Sequence, residues 1–168
     1  YGKYELSGQC AQAIKTDGTL WGWGTNDYGR LGLNNSTSQA LAEQVGSDTD
    51  WSQLTAGYQH SFFLKTDGTL WAAGSDAWGA TGLNLEGNPG RRSSPTQIPG
   101  TTWKSVTAGY NFSAAIKTDG SLWTWGMNNQ GRLGQNSTTH YSSPVQIPGT
   151  GWILSSARRL ANMAIKQL

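Results

Sequence analysis

The sequence has few of the residues that staple small domains or attract charged partners. Cys10 is the single cysteine among 168 residues, so an internal disulfide is excluded. The chain therefore suits a reducing compartment, or a virion or secreted protein that needs no disulfide. Charged residues make up only 13% of the chain and the net charge is +2, a bias too weak to indicate nucleic acid or an anionic membrane as the partner.

The clustered groups that catalysis and metal binding require are also missing from the sequence. Its two histidines, His60 and His140, share no sequence context, and neither an HExxH motif nor a cysteine pair is present. No apolar run is long enough to cross a bilayer. We therefore expect no enzyme activity, no cofactor, no metal site and no membrane insertion.

Glycine, tryptophan and repetition are what the sequence has in abundance. It contains 23 glycines and 9 tryptophans. The heptapeptide Lys-Thr-Asp-Gly-(Thr/Ser)-Leu-Trp occurs three times, at residues 15–21, 65–71 and 117–123, with spacings of 50 and 52 residues. A long motif that returns at a nearly fixed period indicates one supersecondary unit stacked several times.

Each repeat predicts four short strands. In the third repeat these strands fall at residues 103–108, 113–118, 121–125 and 144–147, and an Asp-Gly pair at 119–120 marks the central hairpin. Four strands per unit are typical of a propeller blade. The sequence therefore predicts an all-β propeller of four-stranded blades, about three and a half of them. We place the blades at 1–46, 51–99 and 103–148, and the start of a further blade at 152–168.

Glycines recur in fixed register in the loop after the third strand of each repeat. They are expected at positions of positive φ or of close backbone approach. A phosphate-binding glycine loop is the alternative, but that fingerprint needs a helix after the loop, and here another strand follows. The recurring residues are Gly24, Gly29, Gly32, Gly74, Gly79, Gly82, Gly126, Gly131 and Gly134.

The repeat resembles that of the regulator of chromosome condensation family. Residues 21–34 and 123–136 read W-x-W-G-x-N-x-x-G-x-L-G-x-N, and residues 71–84 form a degenerate copy with Ala73 and Thr81 at two of the motif positions. The resemblance covers nearly the whole chain. It implies a seven-bladed propeller, and because three and a half blades cannot close a ring, we expect part of a longer repeat protein, an open arc, or one piece of an oligomeric ring.

The founding member of that family is a nucleotide exchange factor for the small GTPase Ran and docks on nucleosomes. Exchange there uses a wedge that protrudes from one blade, and no matching insertion occurs in this sequence. Docking on nucleosomes needs arginine-rich loops or a basic tail. The sequence offers only the arginine pairs at 91–92 and 158–159.

Recognition is expected in the loop residues that do not follow the repeat, because loops on a rigid scaffold are where binding residues concentrate. Trp78 aligns with Tyr28 and Gln130, and an exposed aromatic there could stack on a sugar or anchor a protein. The opposing interpretation is that Trp78 is core. The candidate recognition residues are Tyr28, Trp78, Arg91, Arg92, His140 and Tyr141.

The favoured function is a non-catalytic interaction or structural module that recognises a protein partner or takes part in assembly. Two alternatives stay open: a guanine-nucleotide exchange or chromatin-docking propeller, and a carbohydrate-binding module. A glycan ligand is compatible with the exposed aromatic, whereas nucleic acid is not expected. The style of the repeat favours a phage or bacterial protein displayed on a virion or cell surface.

Overall fold

A computed structural model describes residues 2–7, 10–85, 90–158 and 161–166. These residues form three four-stranded antiparallel sheets and one two-stranded sheet, and the only helical segment among them is a 3₁₀ turn, Ala77–Gly79. The first sheet comprises β1 (Lys3–Ser7), β2 (Cys10–Ile14), β3 (Leu20–Gly24) and β4 (Gln39–Gln44). The second comprises β5 (Trp51–Ala56), β6 (His60–Lys65), β7 (Leu70–Ser75) and β8 (Arg91–Gln97). The third comprises β9 (Trp103–Ala108), β10 (Phe112–Lys117), β11 (Leu122–Gly126) and β12 (Tyr141–Ile147), and a further pair comprises β13 (Trp152–Arg158) and β14 (Ala161–Lys166).

Each four-stranded sheet is one propeller blade, with its strands paired in chain order. The first strands β1, β5, β9 and β13 pack against one another in succession, so they lie nearest the propeller axis and the fourth strands lie at the rim. This crowding explains the Ala-Gly pair after the first strand, because a Cβ on Gly57 would lie only 2.6 Å from the carbonyl oxygen of Gly109. The all-β propeller predicted from the repeat is confirmed, and the described blades form part of such a propeller.

The antiparallel order gives the blades two distinct ends. One end, the hairpin face, carries the Asp-Gly turns at 15–19, 65–69 and 117–121. The opposite end, the loop face, carries the short turns after each first strand and the long loops after each third strand. The described segments of the loop face are 25–38, 57–59, 76–85, 109–111 and 127–140.

The repeated heptapeptide is a structural device of the hairpin face. In the first blade Asp17 accepts hydrogen bonds from the backbone and hydroxyl of Thr19, and the Thr19 hydroxyl accepts one from the indole of Trp21 at 2.9 Å. The same bonds recur in the other two blades. The hydroxyl bond from Thr19 is the main reason why the pKa of Asp17 lies below its usual value. Turn geometry therefore accounts for these recurring carboxylates.

The lysine of the heptapeptide lies over tryptophan rings. The Lys117 ammonium is 4.6 Å from the ring centroid of Trp103 and 4.4 Å from that of Trp123. Contacts of this kind are cation–π interactions, worth about 0.5–1 kcal/mol at exposed sites. Lys, Thr, Asp and Trp in the motif thus stabilise one hairpin together, and the motif explains the fold rather than the function.

Each junction between blades has its own hydrophobic core, and two junctions reach the same packing with different residues. Between the first and second blades, Phe63 and Ala73 are buried side by side in one core. Between the second and third blades, the equivalent positions are Ala115 and Trp125, also buried together. A large residue on one strand therefore accompanies a small one on its neighbour, so the volume that fills each junction is roughly kept.

The predicted strands of the third blade match the observed ones closely except at the rim. The strand expected at 144–147 begins earlier, at Tyr141. The reason is that Tyr141 pairs with Gly126 of β11, across an irregularity in the ladder. The preceding loop of the second blade also packs on this early part of β12, which holds it extended.

Candidate recognition face

The long loops of the first two blades are docked onto the next blade by a repeated contact. The backbone N–H of Asn34 donates to the carbonyl of Ser93 at 2.7 Å, and that of Asn84 donates to the carbonyl of Ser142 at 2.8 Å. All nine recurring loop glycines have positive φ. Gly79 shows why: its φ is +74°, and a Cβ there would lie 2.4 Å from Cα of Ser142. The loops of the first and second blades are thus held against the rim strand of the next blade.

This docking brings Trp78 and His140 together across the second junction. Their rings meet edge to face with centroids 5.0 Å apart. Nδ1 of His140 accepts a hydrogen bond from the backbone N–H of Asn128 at 2.8 Å, which fixes the imidazole against its own loop. Trp78 nevertheless remains 54% exposed, so it is not a core residue.

The backbone of Trp78 is unusual for its residue type. Its φ is +61°, a left-handed conformation that bulky side chains rarely adopt. Its counterpart in the first blade, Tyr28, does not share this conformation. Strained residues of this kind concentrate at binding and active sites, where the surrounding structure holds them.

Three predicted loop residues lie in strands instead. Arg91 and Arg92 open β8 and pair with Ser75 and Gly74 of β7, while Tyr141 opens β12. The expectation that they lie in loops was wrong, because the loops of the preceding blades dock on these segments and hold them extended. Both arginines remain exposed, at the loop-face end of their strand.

The first junction places Tyr28 beside the arginines. Tyr28 is half-buried, and the adjacent Gly29 packs so closely on β8 that a Cβ there would lie 2.5 Å from Cα of Ser93 and 3.2 Å from the carbonyl oxygen of Arg92. The candidate residues thus occupy two equivalent junctions at the rim of one face. Tyr28, Arg91 and Arg92 mark the first junction, and Trp78, His140 and Tyr141 mark the second.

Sequence reasoning missed a second aromatic group nearer the axis. Tyr58 and Tyr110 follow equivalent first strands, and their rings stack with centroids 4.1 Å apart at an angle of 14°. Tyr58 is 49% exposed, and Nη1 of Arg30 donates to its carbonyl oxygen at 2.7 Å. The signal was present in the sequence as the repeated Thr-Ala-Gly-Tyr at 55–58 and 107–110.

The two faces carry different positively charged side chains. The five arginines that the structure describes all lie at the loop-face end, and the six lysines all lie at the hairpin-face end. The described carboxylates of the loop face are the exposed Asp27 and the buried Asp76. Burial raises the pKa of Asp76, against the opposing effect of its hydrogen bonds from Thr81. The exposed charge of the described loop face is therefore mainly guanidinium.

A serine and a histidine meet inside the propeller, but their geometry is that of packing. Nε2 of His60 lies 3.3 Å from Oγ of Ser113, and Ser113 donates to the carbonyl of Ala80 at 3.0 Å. Both side chains are fully buried. Burial, followed by the charge of Arg30, lowers the pKa of His60 to about 4. Because no substrate can reach the pair, it joins the second and third blades instead of activating a nucleophile.

Among the described residues, no three histidine, cysteine, aspartate or glutamate side chains converge as a metal site would require. That same part of the chain contains no helix long and apolar enough to span a membrane.

The fold and its loop face define a β-propeller module whose blades present variable side chains on a rigid frame. Family models for the regulator of chromosome condensation (RCC1) repeat match residues 17–64, 103–132 and 119–157. These matches fall on more than half of the chain. The chain therefore belongs to the RCC1 repeat family.

The relatives are longer proteins. The regulator of chromosome condensation of Xenopus laevis is 30% identical over 73% of this chain, which covers 30% of the relative. The ultraviolet-B receptor UVR8 of Arabidopsis thaliana is 29% identical over 73% of the chain, which covers 28% of it. Prp20p from Saccharomyces cerevisiae, studied for its binding to Gsp1p and histones, superposes with a TM-score of 0.82 at 20% identity, over 99% of this chain and 44% of Prp20p. The chain thus spans less than a third of the first two relatives and less than half of Prp20p, and the likeness to Prp20p shows the fold.

Proposed function

We propose that this propeller is a non-catalytic recognition module that binds a protein partner through its loop face. The observation that carries the proposal is the docking of variable loop residues at two equivalent junctions, where Trp78 stays exposed although its backbone is strained. Aromatic and arginine side chains are enriched at protein interfaces, and lysine is depleted there. The loop face has this composition.

The rim of the propeller is a poorer site for a partner. The rim strands β8 and β12 contain Pro95 and Pro144, respectively. Proline removes a backbone donor and is a common device that prevents edge strands from pairing with other chains. Recognition by loop side chains is therefore favoured over the addition of a partner strand at these edges.

Site-specific photo-cross-linking tests the proposal. Benzoylphenylalanine replaces Trp78 on the loop face or, as the control, the exposed Thr66 on the hairpin face, in the full-length protein within its own cells. Adducts with the same protein partner at Trp78 and not at Thr66 are expected. Equal adducts at both positions, or adducts at Thr66 alone, would contradict the proposal.

A carbohydrate ligand is the second candidate, supported by the 54% exposure of Trp78. If a sugar stacks on this ring, Trp78→Ala should abolish glycan binding while the fold is kept. Titration of soluble glycans against the wild type and Trp78→Ala would decide this.

Guanine-nucleotide exchange and chromatin docking stay predictions from the family. A nucleotide-release assay and a nucleosome-binding assay would check them. Display on a virion or cell surface also stays a prediction, checked by surface labelling.

A further inference from the structure

The loop face has a specific charge chemistry. Arginine presents a planar fork of donors that matches a carboxylate, and it is favoured over lysine where such groups are recognised. The described loop face uses arginine alone, and its exposed carboxylate is Asp27, which lies 4.0 Å from the nearly buried Arg30. The described hairpin face instead mixes lysines with carboxylates, and Lys65 contacts both Asp48 and Asp50 there.

We propose that the loop face binds an extended, carboxylate-rich segment of a partner protein. In this arrangement Arg91 and Arg92 pair with carboxylates, and Trp78 anchors an apolar side chain of the same segment. The proposal rests on the proposed function, since it names the chemistry of the partner that the loop face recognises.

The positions of Arg91 and Arg92 suit this role. Neighbouring residues in a strand project to opposite sides, so the two guanidiniums flank the end of β8. Arg92 donates to the carbonyl of Arg91 at 3.2 Å, and its charge acts on the buried Asp76, where it lowers the pKa of that carboxyl against the effect of burial. Within the described chain, neither arginine forms an ion pair within 4.0 Å of a carboxylate. Their charges are therefore available to a ligand.

Trp78 lies in the same blade as these arginines, in the loop that follows the strand β7 on which they pair. Arg91 pairs with Ser75, and the Ser75 hydroxyl accepts a hydrogen bond from the backbone N–H of Ala77, directly before Trp78. An extended peptide, which rises about 3.3 Å per residue, is the form of ligand that would reach from the end of β8 to the loop after β7. Alternating acidic and aromatic residues would meet the arginines and the indole in turn.

The arrangement favours carboxylates over the phosphates of a nucleic acid. Among the side chains that the structure describes, exposed guanidinium is concentrated in Arg91 and Arg92, because Arg30 is buried. Arg132 is partly buried and donates to the side chains of Asn129 and Gln130. Proteins that bind nucleic acids tightly neutralise several phosphates at once. Tyr58 and Tyr110 stack on each other, which leaves no gap between their rings for a base.

Fluorescence anisotropy with three labelled probes tests this proposal. The probes are a short peptide of alternating glutamate and phenylalanine, the same peptide with glutamine for glutamate, and a thymidine oligonucleotide. The glutamate peptide is expected to bind about tenfold more tightly than the glutamine peptide, because charge-assisted hydrogen bonds are the strong ones. Tighter binding of the oligonucleotide would overturn the proposal in favour of phosphate recognition.

Variants locate the binding. Arg91→Glu is expected to weaken the glutamate peptide about tenfold, and Arg91→Lys less, since lysine keeps the charge but loses the fork. Lys104→Glu, a matched reversal at an exposed lysine of β9, is expected to leave binding unchanged. Equal losses in Arg91→Glu and Lys104→Glu, equal binding of both peptides, or no peptide binding would refute the proposal. If the cross-links from Trp78 to a protein partner are still observed in that case, the proposed function stands and only the acidic ligand is refuted.

Discussion

Acid should destabilise this propeller through one buried imidazole. His60 is fully buried at the second junction, and its Nδ1 has no hydrogen-bond partner among the described residues. Its pKa falls from 6.5 to about 4, first because burial disfavours the charged ring and then because of the positive charge of Arg30. Protonation in the folded state would place a charge where no water can solvate it.

The sign and size of the effect follow from this shift. The unfolded chain accepts the proton more readily than the folded one, so the stabilisation from neutral His60 is fully present above pH 6.5. It is lost as the pH falls from 6.5 towards 4. A depression of this size corresponds to about 3 kcal/mol of unfolding free energy at most. That is a large part of the stability of an ordinary domain.

The third blade supplies the control. Phe112 occupies the position equivalent to His60, and Gly109 leaves room for its ring just as Gly57 does for the imidazole. The variant His60→Phe should therefore fit and should lose the acid sensitivity. It also gives up the contact with Ser113, which keeps its bond to Ala80.

Urea denaturation at pH 7 and pH 4.5 measures the difference. The wild type is expected to lose most of this free energy between the two values, and His60→Phe much less of it. The turn carboxylates have pKa values below 3.8, so their effect falls below this window. The same loss in both proteins would refute the assignment to His60.

Three further predictions concern the loops and the junctions. Gly79→Ala should cost more unfolding free energy than Gly46→Ala by chemical denaturation, because both have positive φ but only the first meets a neighbouring strand; equal costs would contradict the docking. Trp125→Ala should destabilise by about 3–5 kcal/mol and Trp78→Ala by less than about 1 kcal/mol, since only Trp125 is fully buried. Asp76→Asn should raise the unfolding free energy at pH 7 in chemical denaturation, because burial raises the pKa of this carboxyl and stability is lost as it ionises; no rise would mean that its hydrogen bonds outweigh burial.

Much of the fold could be predicted because the repeat fixes local geometry. The Asp-Gly turns, the positive-φ glycines and the hairpin strands depend on residues close in sequence, and the three copies agree. The rim strands were harder to place, since Tyr141 and Arg91 become extended through contacts with a loop from the preceding blade. Such contacts join residues about 60 positions apart, as Asn34 and Ser94 do, and no local pattern indicates them.

The candidate site could also be predicted only in part. Trp78 could be singled out because it breaks the register of an otherwise regular repeat. The stacked pair Tyr58 and Tyr110 was missed because its residues keep the register and so look like scaffold. Agreement between repeats therefore indicates shared geometry, but it does not exclude a shared role at the surface.

The second blade departs furthest from the repeat, and its departures are of two kinds. Ala73 and Phe63 compensate each other in volume and leave the junction filled. His60 instead stands where the third blade has Phe112, and Asp76 stands where the other blades have Asn26 and Asn128. The shifts in both pKa values mean that each group costs stability in its charged form. The same blade carries Trp78, whose backbone is also strained. The blade that presents the indole thus combines a strained backbone position with two ionisable groups whose charged forms are disfavoured, as is expected where a scaffold adapted for recognition gives up stability.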